Sequence, residues 1–209
     1  MHIKSIILRA FAVIILVSGL TSSAYAAAAP ATPQLKAAID QFIQVIRDPD
    51  LRGQDTAARR NEKLHALFVE HFDQMEIARK ALGRHWQDRT PQQQQDFARL
   101  FADLLERSYF GKIDDFIAEA VSFTSGSIQY TGENLRRGYA IVNTTVTISP
   151  ESSIPVDYQL KQTDERWRIC DIAIEGVSLL RNYRAQFDEI VKNYSFDELM
   201  RRLETKQNL

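Results

Sequence analysis

One stretch, residues 166–191, changes its hydrophobic period once, at a glycine, and that change limits what the rest of the chain can be. Before Gly176, the side chains of Trp167, Ile169, Cys170, Ile172 and Ile174 form a β-rich run with apolar residues on both faces. That is the pattern of a strand covered on its two sides. After Gly176, Leu179, Leu180, Tyr183, Phe187, Ile190 and Val191 recur at helical spacing. The spacing predicts a strand leading directly into a helix. Gly176 takes backbone angles that other residues avoid, and Ser178 caps the first turn. Everything upstream must supply what this joint packs against.

The N-terminus reads as a targeting segment rather than part of the fold. Lys4 and Arg9 are followed by an apolar run over residues 10–20 and by Ala24-Tyr25-Ala26, a small-x-small cleavage site. The apolar run is too short for a good membrane anchor. The expectation is an exported protein with a signal peptide over residues 1–26 and a single domain over residues 27–209. Cleavage after Ala26 leaves 183 of the 209 residues, enough for one sizeable core. With Lys4 and Arg9 removed, 24 of the 26 basic residues remain against 27 acidic ones, a net charge of −3, which argues against a nucleic-acid-binding surface. Cys170 is the one cysteine, so no intramolecular disulfide forms.

Residues 27–31 read as a loose leader. Thr32 and Pro33 then start a helix bearing Leu35, Ala38, Ile39, Phe42 and Ile46 on one face. A second helix over residues 56–71 presents Leu64, Leu67 and Phe68, with Phe72 following, and a third over residues 73–82 ends at Gly83. The fourth has a capping box, Thr90 and Gln93 around Pro91, and a wide stripe of Phe97, Leu100, Phe101, Leu104, Leu105 and Tyr109. Ile113, Phe116, Ile117 and Ala120 permit one more short helix. From Ser127 the period becomes two: strands are predicted from Ile128, over residues 139–148 and 154–161, and through the 166–174 run. Val142, Val146, Val156 and Tyr158 share a face. Whether Ile172 and Ile174 join them depends on a one-residue difference in the last turn. Ser195 with Glu198 caps a final helix. The fold class is α+β: N-terminal helices, a curved antiparallel sheet of about four strands, then C-terminal helices, with an apolar cavity between sheet and helices.

Catalytic motifs are absent: the sequence has no phosphate loop, nucleophile elbow, HExxH or paired cysteines. His65 and His71 lie six residues apart, off the i, i+4 spacing of a helical metal pair. No cofactor or metal is expected. Asp171, an acid within the Ile-rich strand, is the one candidate base, and a structural hydrogen-bonding role competes with that reading.

The motifs GVSLLRNYRAQF, residues 176–187, and ALGRHW, residues 81–86, together resemble the MlaC, or toluene-tolerance, family of periplasmic phospholipid-binding proteins. The resemblance extends from about Leu35 to Leu203, with departures from the family's pattern at Arg166, Cys170 and Arg181. It implies a soluble periplasmic lipid carrier, not an enzyme, that helps maintain outer-membrane lipid asymmetry. The implied partners are phospholipid, an outer-membrane lipoprotein–porin complex and an inner-membrane ABC transporter complex, contacted transiently. A carrier of this kind needs a deep apolar pocket with few polar groups at its mouth. The candidate wall is Phe97, Phe101, Leu104, Tyr139, Val142, Val146, Tyr158, Ile172, Ile174, Leu180 and Tyr183, with core packing the competing role for each. Arg181 and Arg184 are candidates for head-group or partner contact. Two alternatives stay open. One is a carrier of hopanoid-type lipid. The other is a small periplasmic enzyme for an isoprenoid- or steroid-like substrate, using Asp171 or His85 with Tyr139 or Tyr158.

Overall fold

The computed structural model describes residues 30–110, 125–149 and 151–205. The expected export signal over residues 1–26, most of the expected loose leader over residues 27–31 and the short helix expected around Ile113, Phe116, Ile117 and Ala120 lie outside those residues; the last leader residue, Ala31, is buried in the first turn of a helix instead. Among the described residues there are six α-helices: α1 (Ala31–Arg47), α2 (Ala57–His71), α3 (Gln74–Leu82), α4 (Pro91–Tyr109), α5 (Leu179–Asn193) and α6 (Phe196–Glu204). Between α4 and α5 runs an antiparallel sheet of β1 (Ile128–Arg136), β2 (Tyr139–Ser149), β3 (Ser152–Thr163), β4 (Arg166–Ile174) and β5 (Val177–Ser178), in that spatial order. The α+β order is the expected one, with five strands where about four were predicted.

The fifth strand comes from a reversal at the strand–helix joint. Glu175 and Gly176 take φ values of 51° and 77°, which close a two-residue hairpin turn and pair Ile174 with Val177. The chain therefore turns back on β4 before α5 begins, rather than passing directly into it. Ser178 then caps α5, its hydroxyl accepting from the Arg181 amide at 3.1 Å.

The faces of β4 are set by one extra residue. Leu160 pairs with Ile169 but Gln159 pairs with Asp171, so Cys170 forms a β-bulge. The bulge brings Ile172 opposite Tyr158 and Ile174 opposite Val156, on the face that carries Val142 and Val146. Trp167 and Ile169 lie on that face too, while Cys170 is buried among α3, α4, α5 and α6. What reads in the sequence as a strand apolar on both faces is largely one face carried through a bulge.

Helix α1 covers this face, with Ala31 and Leu35 against Ala140, Val142, Leu160 and Trp167. Its start differs from the expected Thr32–Pro33 cap because the sheet supplies the acceptor. Glu133 on β1 accepts from the Ala31 and Thr32 amides, each at 2.9 Å, and from the Thr32 hydroxyl. Burial pushes the Glu133 carboxyl up, but these hydrogen bonds outweigh it and hold it below its ordinary range. Helix α4 starts as predicted, with both hydrogen bonds of the Thr90–Gln93 capping box formed.

The other face of the sheet meets α3 through polar contacts. Glu76, only 2% exposed, accepts from the Tyr139 hydroxyl at 2.9 Å, Lys161 Nζ at 3.2 Å and Arg79 Nε at 2.8 Å. Burial raises the Glu76 carboxyl, but its hydrogen bonds from Arg79, Tyr139 and Lys161 win and hold it at about 2 against an ordinary 4.5. A depressed carboxylate stabilises fully above its unfolded pKa, and that contribution is lost as pH falls through the folded value. Glu76→Gln is expected to lower the unfolding free energy by about 1–3 kcal/mol at neutral pH. In urea melts the gap to wild type should close between pH 4.5 and about 2, and a pH-independent gap would show that the charge is not its cause.

Candidate functional site

Among the described residues, strand β4 is paired along its outer edge at two places. Near its start Phe72, following α2, bridges to Ile169, and the Asp73 amide donates to the Ile169 carbonyl at 2.9 Å. Near its end β5 pairs with Ala173 and Ile174. Between these two covers lies a cavity of about 310 Å³. Its walls come from Phe68 and Phe72 at the end of α2, Ile77 of α3, and Leu105, Tyr109 and Phe110 at the end of α4. Ile169, Asp171, Ile172 and Ile174 of β4 and Leu179 and Leu180 of α5 complete them. The size is at the lower end of ligand pockets, roughly 300–1,000 Å³. Its entrance is marked by Tyr109, 45% exposed, and Ile174, 40% exposed.

Among the described residues Asp171 is the one charged wall residue, and its oxygens are engaged. Oδ1 accepts from the Ile172 amide at 2.9 Å and, at a long 3.4 Å, from the Leu180 amide; Oδ2 accepts from the Ser178 hydroxyl at 2.7 Å. The carboxylate thus stands where a neighbouring strand's carbonyl would stand and ties the uncovered part of β4 to the start of α5. Tyr109 is the other polar group, its phenol pushed up to about 12 by burial and then by the adjacent Tyr183.

Proton-transfer chemistry has little to work with here. Among the described residues no hydrogen bond joins Asp171 or His85 to Tyr139 or Tyr158. The His85 Nε2 meets Asp188 at 2.8 Å, and Tyr139 donates to Glu76. No group of three His, Cys, Asp or Glu among the described residues is placed to hold a metal ion. Burial pushes the Cys170 thiol up to about 11, far from a reactive thiolate.

Of the eleven wall candidates, the cavity brings together Ile172, Ile174 and Leu180. Phe97, Phe101 and Tyr183 sit in an aromatic core: Phe101 lies 5.1 Å from both Tyr183 and Phe187, and Phe97 lies 5.6 Å from Phe187. Leu104 packs against the same core, and Tyr139 belongs to the α3 face of the sheet. Val142 is fully buried under α1. Val146 and Tyr158 belong to a third cluster with Ile128, Ile39 and Ile43. Arg181 and Arg184 line a separate groove on the other side of α5, which shares no wall residue with the cavity.

Sequence reasoning missed Phe68, Phe72, Ile77, Leu105, Tyr109, Phe110, Ile169 and Leu179 as cavity residues. Phe68 and Phe72, four apart at a helix end, and the last turn of the α4 stripe were the available signals. A stripe identifies a helix's buried face, but not which end of it meets a void.

The hydrogen bonding at Asp171 predicts an ordered pair of variants. Asp171→Asn keeps one oxygen for the Ile172 and Leu180 amides, and the Ser178 hydroxyl can donate elsewhere, so a loss of about 1 kcal/mol is expected. Asp171→Ala removes every acceptor and is expected to cost about 2–3 kcal/mol. Urea denaturation of both variants checks the order, and equal losses would contradict the assignment.

The family described as MlaC protein has a model that matches residues 36–205. Comparison with curated protein sequences returns no match. Among solved structures, the chain is similar to a phospholipid-binding protein from Ralstonia solanacearum, determined in complex with a phospholipid. The TM-score is 0.69 at 27% sequence identity, covering 85% of this chain and 96% of that one.

Proposed function

Because the chain belongs to the MlaC family, we propose that it is a phospholipid-binding carrier protein that holds acyl chains in the cavity beside β4. The observation that carries this reading is the cavity wall itself, which among the described residues is apolar apart from the Tyr109 phenol and one carboxylate already committed to backbone and serine donors. Such a wall offers a hydrocarbon chain dispersion contacts and asks for no chemistry. The Ralstonia protein of similar fold, solved with a phospholipid, supports the cargo class. An enzyme would need an acid or imidazole at the cavity with a free lone pair and a proton partner, and the hydrogen bonds of Asp171 speak against that.

We further propose that the protein works in the periplasm after export by its N-terminal segment. There it would shuttle lipid between an outer-membrane lipoprotein–porin complex and an inner-membrane ABC transporter complex. The signal-like segment of the sequence and the family membership support this part.

An empty apolar void forgoes packing at about 24 cal/mol per Å³, so a cavity of about 310 Å³ corresponds to at most about 7 kcal/mol, less whatever water at its open mouth restores. Bound lipid should therefore raise the melting temperature measurably. Organic extraction followed by lipid mass spectrometry is expected to find diacyl phospholipid in the purified protein, and delipidation to lower the melting temperature. A hopanoid-type lipid in its place would redirect the cargo assignment, and a protein that neither carries lipid nor takes it from vesicles would end the carrier reading. Two substitutions sharpen the test. Ile174→Trp is expected to reduce lipid per protein several-fold while stability changes by less than about 0.5 kcal/mol, since Ile174 lies at the half-open entrance. Val146→Trp, in a closed cluster, is expected to destabilise by about 1–3 kcal/mol.

A further inference from the structure

The two sequence motifs over residues 81–86 and 176–187 meet in space, yet most of their charged residues have no part in the cavity. They form a groove of about 560 Å³ between the end of α3 and the outer side of α5. Arg84, Arg181, Arg184 and Lys192 line it against a single carboxylate, Asp188. This local excess of positive charge stands out on a chain whose net charge is −1.

Three of the four cations, Arg84, Arg184 and Lys192, are held by hydrogen bonds or ion pairs, and Arg181 stands exposed beside them. Gly83 has φ +59°, and a Cβ there would sit 3.3 Å from Arg184 Cδ, so the missing side chain lets Arg184 lie across the turn. Arg184 then donates through Nε to the Lys80 carbonyl at 2.7 Å, and among the described residues its two Nη nitrogens have no hydrogen-bond partner. Arg84 uses Nε and Nη2 on Asp188, which also meets His85 Nε2 and Lys192 Nζ, each at 2.8 Å. Those hydrogen bonds, from Lys192 first and then Arg84 and His85, hold the Asp188 carboxyl well below the usual carboxylate range. One carboxylate serves several cations, and the Arg181 side chain has no hydrogen-bond partner among the described residues.

We propose that this groove docks a carboxylate-rich segment of a protein partner, with Arg181 and the uncommitted guanidinium nitrogens of Arg84 and Arg184 receiving its side chains. Fixed guanidinium forks match carboxylates bidentately. The site is recessed between two helices, so it admits a projecting chain segment better than a flat bilayer surface. None of the large exposed apolar side chains of the described residues lies in it, so it lacks the anchors of an interfacial membrane site. The inference rests on the carrier reading in that a carrier must dock to load and unload, and it assigns that docking to electrostatics on the side of α5 away from the cargo.

The probe is a fluorescein-labelled peptide of alternating Glu and Asp, followed by fluorescence anisotropy, with a Gln/Asn peptide as its neutral control. The acidic peptide is expected to bind at about 20 mM salt and to weaken strongly at about 300 mM, where exposed charges are screened. Arg181→Glu is expected to weaken it at least about tenfold. Arg136→Glu, on the exposed end of β1, should leave it within about twofold. Because the exposed Arg181 side chain has no hydrogen bond to lose among the described residues, the variant should melt like wild type. Lipid content is measured in the same samples, so failure of docking and failure of cargo binding are read separately. Equal affinity for wild type and Arg181→Glu, or a wild type indifferent to the acidic peptide, would overturn the proposal. So would sedimentation of wild type, but not Arg181→Glu, with phosphatidylglycerol vesicles in place of peptide binding, which would give the groove to a lipid surface.

Discussion

Cys170 occupies a place in β4 that has no partner in β3, and the consequences of that insertion reach most of the molecule. Were Cys170 paired with Gln159 rather than bulged, Asp171 would stand opposite Tyr158 under α1, and Ile172 and Ile174 would turn to the other face. With it, Trp167, Ile169, Ile172 and Ile174 act together on one face, and the thiol side chain fills space among the helices. The register shift also lies at the part of the edge that neither the Phe72 bridge nor β5 covers. Bulges commonly end or redirect pairing beside functional sites, and here the freed edge borders the cavity. The Asp171 carboxylate answers the backbone amide left there, so the interruption is hydrogen-bonded rather than open.

Apolar residues in this chain have two destinations, and α4 shows the division. Its first half closes onto α5 and α6, where Phe97, Phe101, Phe187 and Phe196 meet in stacked, edge-on and tilted pairs. Its second half, Leu105 and Tyr109 with the following Phe110, lines a space that protein atoms leave unfilled. The packed half gives the rigidity that a cavity by itself would subtract from. The arginine cluster is kept apart from both, on the far side of α5, where Arg181 and Arg184 line a groove with Asp188. The cavity and the groove can then change independently, because one helix presents Leu180 to one and Arg181 to the other.

Local grammar was readable wherever it depends on residues close in sequence. The Thr90–Gln93 capping box, the Ser178 and Ser195 caps, the stop at Gly83 and the period-two strands are all short-range signals, and the structure contains each of them. The start of α1 was not readable, because its cap is Glu133, about a hundred residues away. The parity of β4 was reduced to a one-residue question but not answered. A two-residue turn at Asp164 and Glu165 and a bulge at Cys170 each shift the register, and sequence spacing reports only their sum. The cavity was legible as a need for apolar walls, which gave Ile172, Ile174 and Leu180. Which end of each stripe borders it depends on how helices distant in sequence approach one another, and period alone carries no such information.

The central claim is that lipid occupies the space beside β4 and not merely some apolar surface. Tyr109 and Ile141 have nearly the same exposure, 45% and 42%, but Tyr109 lines the cavity and Ile141 lies on the opposite face of the sheet. Replacing each in turn by the photoreactive residue p-benzoylphenylalanine, in protein exported to the periplasm, and analysing the intact protein by mass after irradiation distinguishes place from polarity. A phospholipid-mass adduct at position 109 and none at position 141 is the predicted result. Adducts at both positions in equal yield, or at 141 alone, would contradict it.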